Sequence, residues 1–184
     1  MNSTIFLGRD GVIIENRENY VRSWNDVAFI PAALKALRSA YISPYKIILI
    51  TNQSAIGRRL ITLEQAEEIN QRVVKVVTES GGRIDATFMC PHAPGEACNC
   101  RKPLPGLFLQ AAEKFNLDLG RSFMVGDALS DLQAGRAAGV RETMLVRTGR
   151  GQVQAALPEA TSLQPFPVFD TLYDAFDHIF SQSI

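Results

Sequence analysis

The chain has 184 residues, of which 46% are hydrophobic and 21% are charged, and this composition is ordinary for a globular domain with a sizeable core. Lysine plus arginine and aspartate plus glutamate each number 19, and the balance argues against a protein that binds nucleic acid through a basic surface. The apolar runs are too short to span a membrane, and the first residues lack the basic and apolar regions of a signal peptide, so we expect a cytoplasmic location.

Strand-like and helix-like segments alternate from the first residues onward. A strand is predicted at Thr4–Leu7 and is followed by a helix at Ala32–Ala40, entered through a proline. The next strand is predicted at Ile47–Thr51. A capping box at Thr62–Gln65 then opens a helix that runs to about Ser80.

The same alternation continues through the second half of the chain. The predicted strands are 84–89, 123–125 and 143–146, and the predicted helices are 107–115, 129–138 and 170–180. Gly149–Gln164 has the weakest pattern and is expected to be a surface loop. This β-α order predicts an α/β fold with a doubly wound, Rossmann-like parallel sheet and helices on both faces.

Polar residues follow three of the predicted strands, where ligands bind in folds of this class. They are Gly8–Asp10, Thr51–Ser54 and Gly126–Asp127. Hydroxyl, amide and backbone N–H groups at Thr51–Ser54 can hold phosphoryl oxygens, although such a segment alone is more often a plain polar turn. Thr148–Gly151 is rich in glycine and is interpreted as a loop, because it completes no dinucleotide-binding motif.

All three cysteines of the chain, Cys90, Cys98 and Cys100, lie close to His92 in the sequence. Three thiols and an imidazole can complete a tetrahedral zinc site, with no position left for a catalytic water, so we predict a structural zinc ion. The alternative is a set of buried cysteines near an unrelated histidine. An odd, clustered number of cysteines does not indicate a disulfide framework.

Two cations, Arg101 and Lys102, directly follow the last cysteine. Alone they would be interpreted as a solvated basic pair, but a zinc-ordered loop would hold them at the edge of the sheet, where they suit a phosphate group. Asp127 follows a strand and Asp131 lies four residues later, so both carboxylates can face one Mg²⁺ site. The alternative for Asp127 is that it caps the following helix.

Together these segments resemble the haloacid dehalogenase superfamily of phosphotransferases. The chain is most similar to the subgroup of D-glycero-D-manno-heptose 1,7-bisphosphate phosphatases and histidinol-phosphate phosphatases. The matching motifs, in the order of the family, are RDGVI, TNQS, MCPH…CNCRKPLPG and GDALSDLQAG. The resemblance implies one phosphatase domain over residues 1–184, without a large cap domain, that hydrolyses a small phosphorylated sugar with the aid of Mg²⁺.

The resemblance also implies roles for individual residues. Asp10 would be the general acid and base and would bind Mg²⁺ through its carbonyl, and Asp127 would be a second Mg²⁺ ligand supported by Asp131. Thr51 and Lys102 would stabilise the transferred phosphoryl group. The residues implied to contact the substrate are Arg101, Asn52, Gln53 and Ser54. We expect a monomer that binds neither nucleic acid nor membrane.

The sequence departs from the family motif at Gly8, which occupies the position of the aspartate that attacks phosphorus. Loss of a covalent nucleophile can lower turnover by about 10⁶-fold, and Mg²⁺ also loses a carboxylate ligand. Three hypotheses follow: an inactivated heptose bisphosphate phosphatase or histidinol-phosphate phosphatase, a non-catalytic sugar-phosphate-binding module, or, with little support, a receiver-type signalling domain.

Overall fold

The fold is centred on a parallel sheet of six strands, seen in a computed structural model that describes residues 2–182. The strands are β1 (Thr4–Leu7), β2 (Lys46–Asn52), β3 (Ala86–Cys90), β4 (Phe123–Gly126), β5 (Glu142–Val146) and β6 (Val168–Phe169). Their order in the sheet is β3-β2-β1-β4-β5-β6, and every pairing is parallel. The order reverses beside β1, so the carboxyl ends of β1 and β4 form the crevice that binds ligands in such sheets.

Eight helices connect or follow these strands in the described part of the chain. They are α1 (Pro31–Ser39), α2 (Ser54–Gly57), α3 (Leu63–Glu79), α4 (Gly106–Phe115), α5 (Leu129–Ala138), α6 (Gly151–Ala155), α7 (Pro158–Leu163) and α8 (Leu172–Ser181). The capping box predicted from the sequence is present: Thr62 Oγ1 accepts from the Gln65 amide and Gln65 Oε1 accepts from the Thr62 amide. The left-handed backbone of Gly139, with φ of 82°, ends α5.

The strands place alternate side chains in two separate cores, one on each face of the sheet. Ile5 and Leu7 pack with α1, α3 and α8 on one face. Phe6, between them, packs with α4 and α5 on the other. The doubly wound architecture predicted from the order of the elements is therefore confirmed.

The structure corrects two of the predicted boundaries. The segment Gly149–Gln164 is not a loop, because it contains α6 and α7, whose apolar side chains pack with Leu129, Leu132 and Leu145. Helices this short carry too few apolar residues to show a helical period. The strand predicted at 84–89 begins at Ala86, and just before it the Ile47 amide donates to the Asp85 carboxylate and not to a backbone carbonyl.

None of the helices within residues 2–182 has the length and apolar character needed to cross a membrane.

Candidate active site

A cavity of about 750 Å³ opens at the carboxyl end of the sheet. It brings together every residue that the sequence placed at the predicted phosphate and magnesium sites. These residues are Gly8, Asp10, Thr51, Asn52, Gln53, Ser54, Arg101, Lys102, Asp127 and Asp131. They come from four separate segments of the chain: three lie at the carboxyl ends of β1, β2 and β4, which the sheet topology brings together, and the fourth follows the cysteine-rich loop.

Gly8 directly follows β1 at the floor of this cavity, and its amide donates to the Val125 carbonyl at 3.0 Å. Its backbone is not left-handed. A Cβ atom built on Gly8 would lie 3.1 Å from Val12 Cγ2 and 3.9 Å from Asp131 Oδ2, so a side chain fits here once Val12 shifts by a few tenths of an ångström. The fold therefore does not require glycine at position 8.

Two neighbouring glycines are different in this respect. Gly11 has φ of 78°, and a Cβ atom there would overlap the Asp127 carboxylate. A Cβ atom on Gly126 would overlap the Asp131 side chain. Glycine is thus required at Gly11 by the left-handed backbone and at Gly126 by the close approach of Asp131. Neither reason applies at Gly8.

The Asp10 carboxylate is held from two sides. Arg9, with 1% of its side chain exposed, donates from Nε and Nη2 at 3.2 and 3.1 Å. Gln53 Nε2 donates to the same carboxylate at 3.1 Å and to Thr51 Oγ1 at 2.7 Å. Arg9 is itself fixed by Asn70 Oδ1 at 2.7 Å, so Asp10 has one defined orientation at the cavity wall.

Lys102 is attached to the end of β2 through its backbone. The Asn52 side chain accepts from the Lys102 amide and donates to the Lys102 carbonyl, both at 3.1 Å. The Lys102 ammonium crosses the floor, where Nζ donates to the Ile50 carbonyl at 2.9 Å and lies 2.5 Å from Asp131 Oδ1. Asn52, which the sequence predicts to contact substrate, thus forms a clamp: its side chain holds the Lys102 backbone in position.

Asp127 is 2% exposed, and its partner in the described residues is Arg150. The Arg150 amide and Nε donate to Asp127 Oδ2 at 3.0 and 3.3 Å. Burial raises the pKa of Asp127, the nearby Asp131 carboxylate raises it further, and Arg150 offsets part of this. Helix α5 is capped by the Asp131 carboxylate, which accepts from the Ala128 amide at 3.1 Å, so Asp127 is free of the capping role considered from the sequence.

Arg101 links the cavity to the cysteine-rich loop. Its Nη1 donates to Ser54 Oγ at 2.7 Å and to the His92 carbonyl at 3.1 Å. The guanidinium thereby lies on the wall formed by α2, in contact with a residue of the cysteine and histidine cluster. The position of Arg101 therefore depends on the conformation of that loop.

Cys90, His92, Cys98 and Cys100 place their ligand atoms within 4.8 Å of one another. Cys90 Sγ lies 4.0 Å from Cys98 Sγ, 3.1 Å from Cys100 Sγ and 3.4 Å from His92 Nδ1. Ligands at a Zn–S distance of about 2.3 Å around a tetrahedral ion have nearly this spacing. Burial raises the pKa of Cys90, and burial together with the neighbouring Cys90 and Cys98 thiols raises the pKa of Cys100 to about 12. The donor set and its spacing fit zinc.

The carboxylates of the cavity fit Mg²⁺ less well. Oxygen ligands suit this ion, but Gly8 supplies none, and Asp127 Oδ2 is already engaged by Arg150. Asp131 is paired with Lys102. The residues present therefore provide an incomplete magnesium site.

Arg150 belongs to a segment that the sequence analysis interpreted as a plain loop. Thr148–Gly151 instead forms part of the site, because Thr148 Oγ1 donates to the Gly11 carbonyl at 2.7 Å and Gly149 packs against Gly11 and Asn16. The sequence signal for this role is the position of the segment immediately beyond β5, because the other site residues also lie at the ends of strands. Asn16, Tyr20 and Ser130 also line the cavity and carried no such signal.

Comparisons with known proteins identify the relatives of this chain. The sequence profile of the HAD-hydrolase-like family matches residues 99–175. The D-glycero-beta-D-manno-heptose-1,7-bisphosphate 7-phosphatase of Bordetella bronchiseptica is 38% identical over 160 residues, which are 85% of this chain and 89% of that protein. The protein of the same name from Neisseria meningitidis serogroup A is 35% identical over 184 residues, covering 97% of this chain and 95% of that protein.

Solved structures give the same result. The crystal structure of D,D-heptose 1,7-bisphosphate phosphatase from B. bronchiseptica, complexed with magnesium and phosphate, superposes with a TM-score of 0.89 at 32% identity and covers 98% of this chain and 99% of that one. The phosphatase of the same name from Burkholderia thailandensis has a TM-score of 0.74 at 30% identity, with coverage of 98% and 99%.

Proposed function

The chain belongs to the haloacid dehalogenase-like phosphatases, a family of phosphoric monoester hydrolases, and on this premise we propose that its cavity takes a small sugar phosphate but turns it over poorly. The proposed ligand class follows the relatives, which are named as D-glycero-beta-D-manno-heptose-1,7-bisphosphate 7-phosphatases. One observation carries the second half of the proposal. Gly8 directly follows β1 and lines the cavity. A side chain would fit at this position, but glycine supplies none.

With an aspartate at position 8, the surrounding groups form a phosphoryl-transfer site. The carboxylate would attack phosphorus in line and form an aspartyl-phosphate, and water would then release phosphate. Asp10, oriented by Arg9 and Gln53, would give its proton to the leaving oxygen and later take one from the attacking water. Lys102 and Thr51 would stabilise the charge that develops on the phosphoryl oxygens.

In the chain as it stands, the attacking group is missing while its neighbours remain in place. Asp10 is held by Arg9 and Gln53, and the family resemblance assigns it the role of acid and base. If it attacked instead, the acid and base role would be empty. We therefore propose an impaired phosphatase. The second candidate is a non-catalytic module that captures a sugar phosphate, and the loss of the nucleophile together with an otherwise intact cavity favours it.

The proposal also includes two metal ions, Mg²⁺ and Zn²⁺. Mg²⁺ bound here would neutralise charge on a transferred phosphoryl group, but the oxygens left to hold it are the Asp127 oxygen that Arg150 does not engage and the Asp10 carbonyl, so we propose weakened magnesium binding. Zn²⁺ would be held by Cys90, His92, Cys98 and Cys100 in a structural role. The zinc-ordered loop would then keep Arg101 against Ser54.

Phosphate release from heptose 1,7-bisphosphate, histidinol phosphate and other small phosphate esters tests the proposal, with the chain compared with its Gly8→Asp variant in the presence of Mg²⁺. We expect Gly8→Asp to exceed the unchanged chain by several orders of magnitude, on the scale of about 10⁶ known for loss of a nucleophile. Gly8→Asn, which adds the same volume without the attacking oxygen, is the matched control and should stay inactive. Equal rates for the unchanged chain and Gly8→Asp would show that another group attacks.

A further inference from the structure

The charged side chains of the cavity are not balanced. Five cationic and four anionic side chains line it: Arg9, Arg17, Arg101, Lys102 and Arg150 against Asp10, Glu18, Asp127 and Asp131. An aspartate at position 8 would cancel this excess. With Gly8, the cavity carries a net positive charge before any metal enters.

The three aspartates that line the cavity each form an ion pair with a cation of the chain itself. The pairs are Asp10 with Arg9 at 3.1 Å, Asp131 with Lys102 at 2.5 Å, and Asp127 with Arg150 at 3.3 Å. An acidic floor normally needs a divalent cation before it can accept an anion, because like charges repel. Here that neutralisation is supplied by side chains that the fold already holds in place.

Two cations of the cavity remain outside these pairs: Arg17, whose Nε donates to the Asp26 carbonyl away from the cavity, and Arg101 on the wall formed by α2. The hydrogen-bond partners of Arg101, Ser54 Oγ and the His92 carbonyl, are neutral acceptors, and within residues 2–182 no carboxylate forms an ion pair with it. A guanidinium has five N–H donors in a planar fork that matches phosphate oxygens. Nη1 makes both of these contacts, which leaves the other nitrogens for a ligand.

We propose that this chain binds a phosphate group without a divalent metal, with Arg101 as the principal cation and the three cavity aspartates neutralised by Arg9, Lys102 and Arg150. The inference rests on the proposed function, since it concerns the same cavity. The proposed function names the class of ligand, and the inference adds that its binding requires no metal. Metal-independent capture would be a property of the chain with Gly8. An aspartate in that place would restore the need for metal.

Titration calorimetry with inorganic phosphate tests this on the full, zinc-containing chain. Mg²⁺ is either added or left out, and the buffer is freed of Mg²⁺ beforehand by an immobilised chelator, so that zinc stays bound. We expect the unchanged chain to bind phosphate in both buffers with similar affinity. Gly8→Asp should bind at least about tenfold more weakly without Mg²⁺ and recover when it is added. Gly8→Asn should behave like the unchanged chain.

Arg101→Gln should weaken metal-free binding by about tenfold or more, because a charge-assisted contact is lost. Arg121→Gln, an exposed arginine just before β4 at the opposite end of the sheet, is the matched control and should have no effect. Phosphate binding by the unchanged chain that appears only with Mg²⁺ would overturn the inference. So would an equal metal requirement in Gly8→Asn and Gly8→Asp. Failure of the proposed function would instead be seen as an inactive Gly8→Asp variant with every ester tested.

Discussion

Lys102 Nζ and Asp131 Oδ1 lie 2.5 Å apart, and their side chains are 7% and 4% exposed. The two residues come from different segments, one after the cysteine cluster and one in the first turn of α5. Their ion pair links these two segments in the cavity, and Asp131 Oδ2 lies 3.9 Å from the position of a Cβ atom built on Gly8. Buried pairs are costly to break, because the remaining charge has no partner and little water.

Lys102→Met should therefore destabilise the chain strongly, by about 3–5 kcal/mol, since it leaves the Asp131 carboxylate buried without a cation. Denaturant unfolding measures this. Adding Asp131→Asn to Lys102→Met should recover part of the loss, because the uncompensated charge is removed. The matched control is Lys75→Met in the exposed Lys75–Glu79 pair of α3, which should cost less than about 1 kcal/mol. A small loss for Lys102→Met would show that Asp131 finds water or another partner.

Gly8→Asp should lower the free energy of unfolding of the magnesium-free chain by about 1–3 kcal/mol. A Cβ atom there crowds Val12 Cγ2 at 3.1 Å, and the added carboxylate lies near Asp131. Added Mg²⁺ should restore part of the loss, because it binds the folded state. Gly8→Asn separates the two causes, since it keeps the crowding and removes the charge. It should be destabilised less and should not respond to Mg²⁺, whereas an equal response in both variants would contradict the electrostatic account.

The residues at strand ends show how far sequence reasoning reaches. Gly8, Thr51 and Asp127 were placed together because parallel strands end at one edge of a sheet, and this rule needs no side-chain detail. The ion pair between Lys102 and Asp131 was not predictable, because two cations and several acids at one edge can pair in many ways. The choice depends on the Asn52 clamp, which fixes the Lys102 backbone.

Arg150 illustrates a different limit. It lies beyond β5, so the same strand-end rule applied to it, but its glycine-rich surroundings resembled an ordinary loop. Its role depends on Gly11 and Gly149 approaching closely enough to bring the Arg150 amide onto Asp127. Likewise, α6 and α7 pack against Leu145 of β5 and against Leu129 and Leu132 of α5, and these contacts are not visible in the local pattern of the segment.

The next prediction concerns the zinc content of the purified chain. The chain has two histidines, so the one outside the cysteine cluster serves as the control. His92→Asn should lower the zinc content and the melting temperature, because His92 Nδ1 lies 3.4 Å from Cys90 Sγ and 3.3 Å from Cys100 Sγ. His178→Asn should leave the zinc content unchanged, because His178 contacts Glu142 near the amino end of β5. Elemental analysis of the purified chains distinguishes them. Equal zinc loss in both variants, or none in either, would contradict the proposed site.

The last prediction concerns Asp127 and pH. Burial and the Asp131 carboxylate raise the pKa of Asp127 in the folded chain, so the folded state holds its proton to a higher pH than the unfolded state does. The contribution of this group to stability is therefore largest at low pH and declines as the pH rises from the ordinary aspartate value through the raised one. Asp127→Asn removes the buried charge and keeps an oxygen that can accept from the Arg150 amide.

In the absence of Mg²⁺, Asp127→Asn should accordingly unfold at a higher denaturant concentration than the unchanged chain at pH 7, and the difference should shrink as the pH falls towards 4. The lost attraction to the Arg150 guanidinium is small in comparison, because that side chain is 60% exposed. Asp177→Asn, at an exposed position of α8, should show no such pH dependence. A lower stability of Asp127→Asn at pH 7 would mean that the ion pair with Arg150 outweighs the cost of burying the carboxylate, and that Arg150 binds Asp127 more tightly than its exposure indicates.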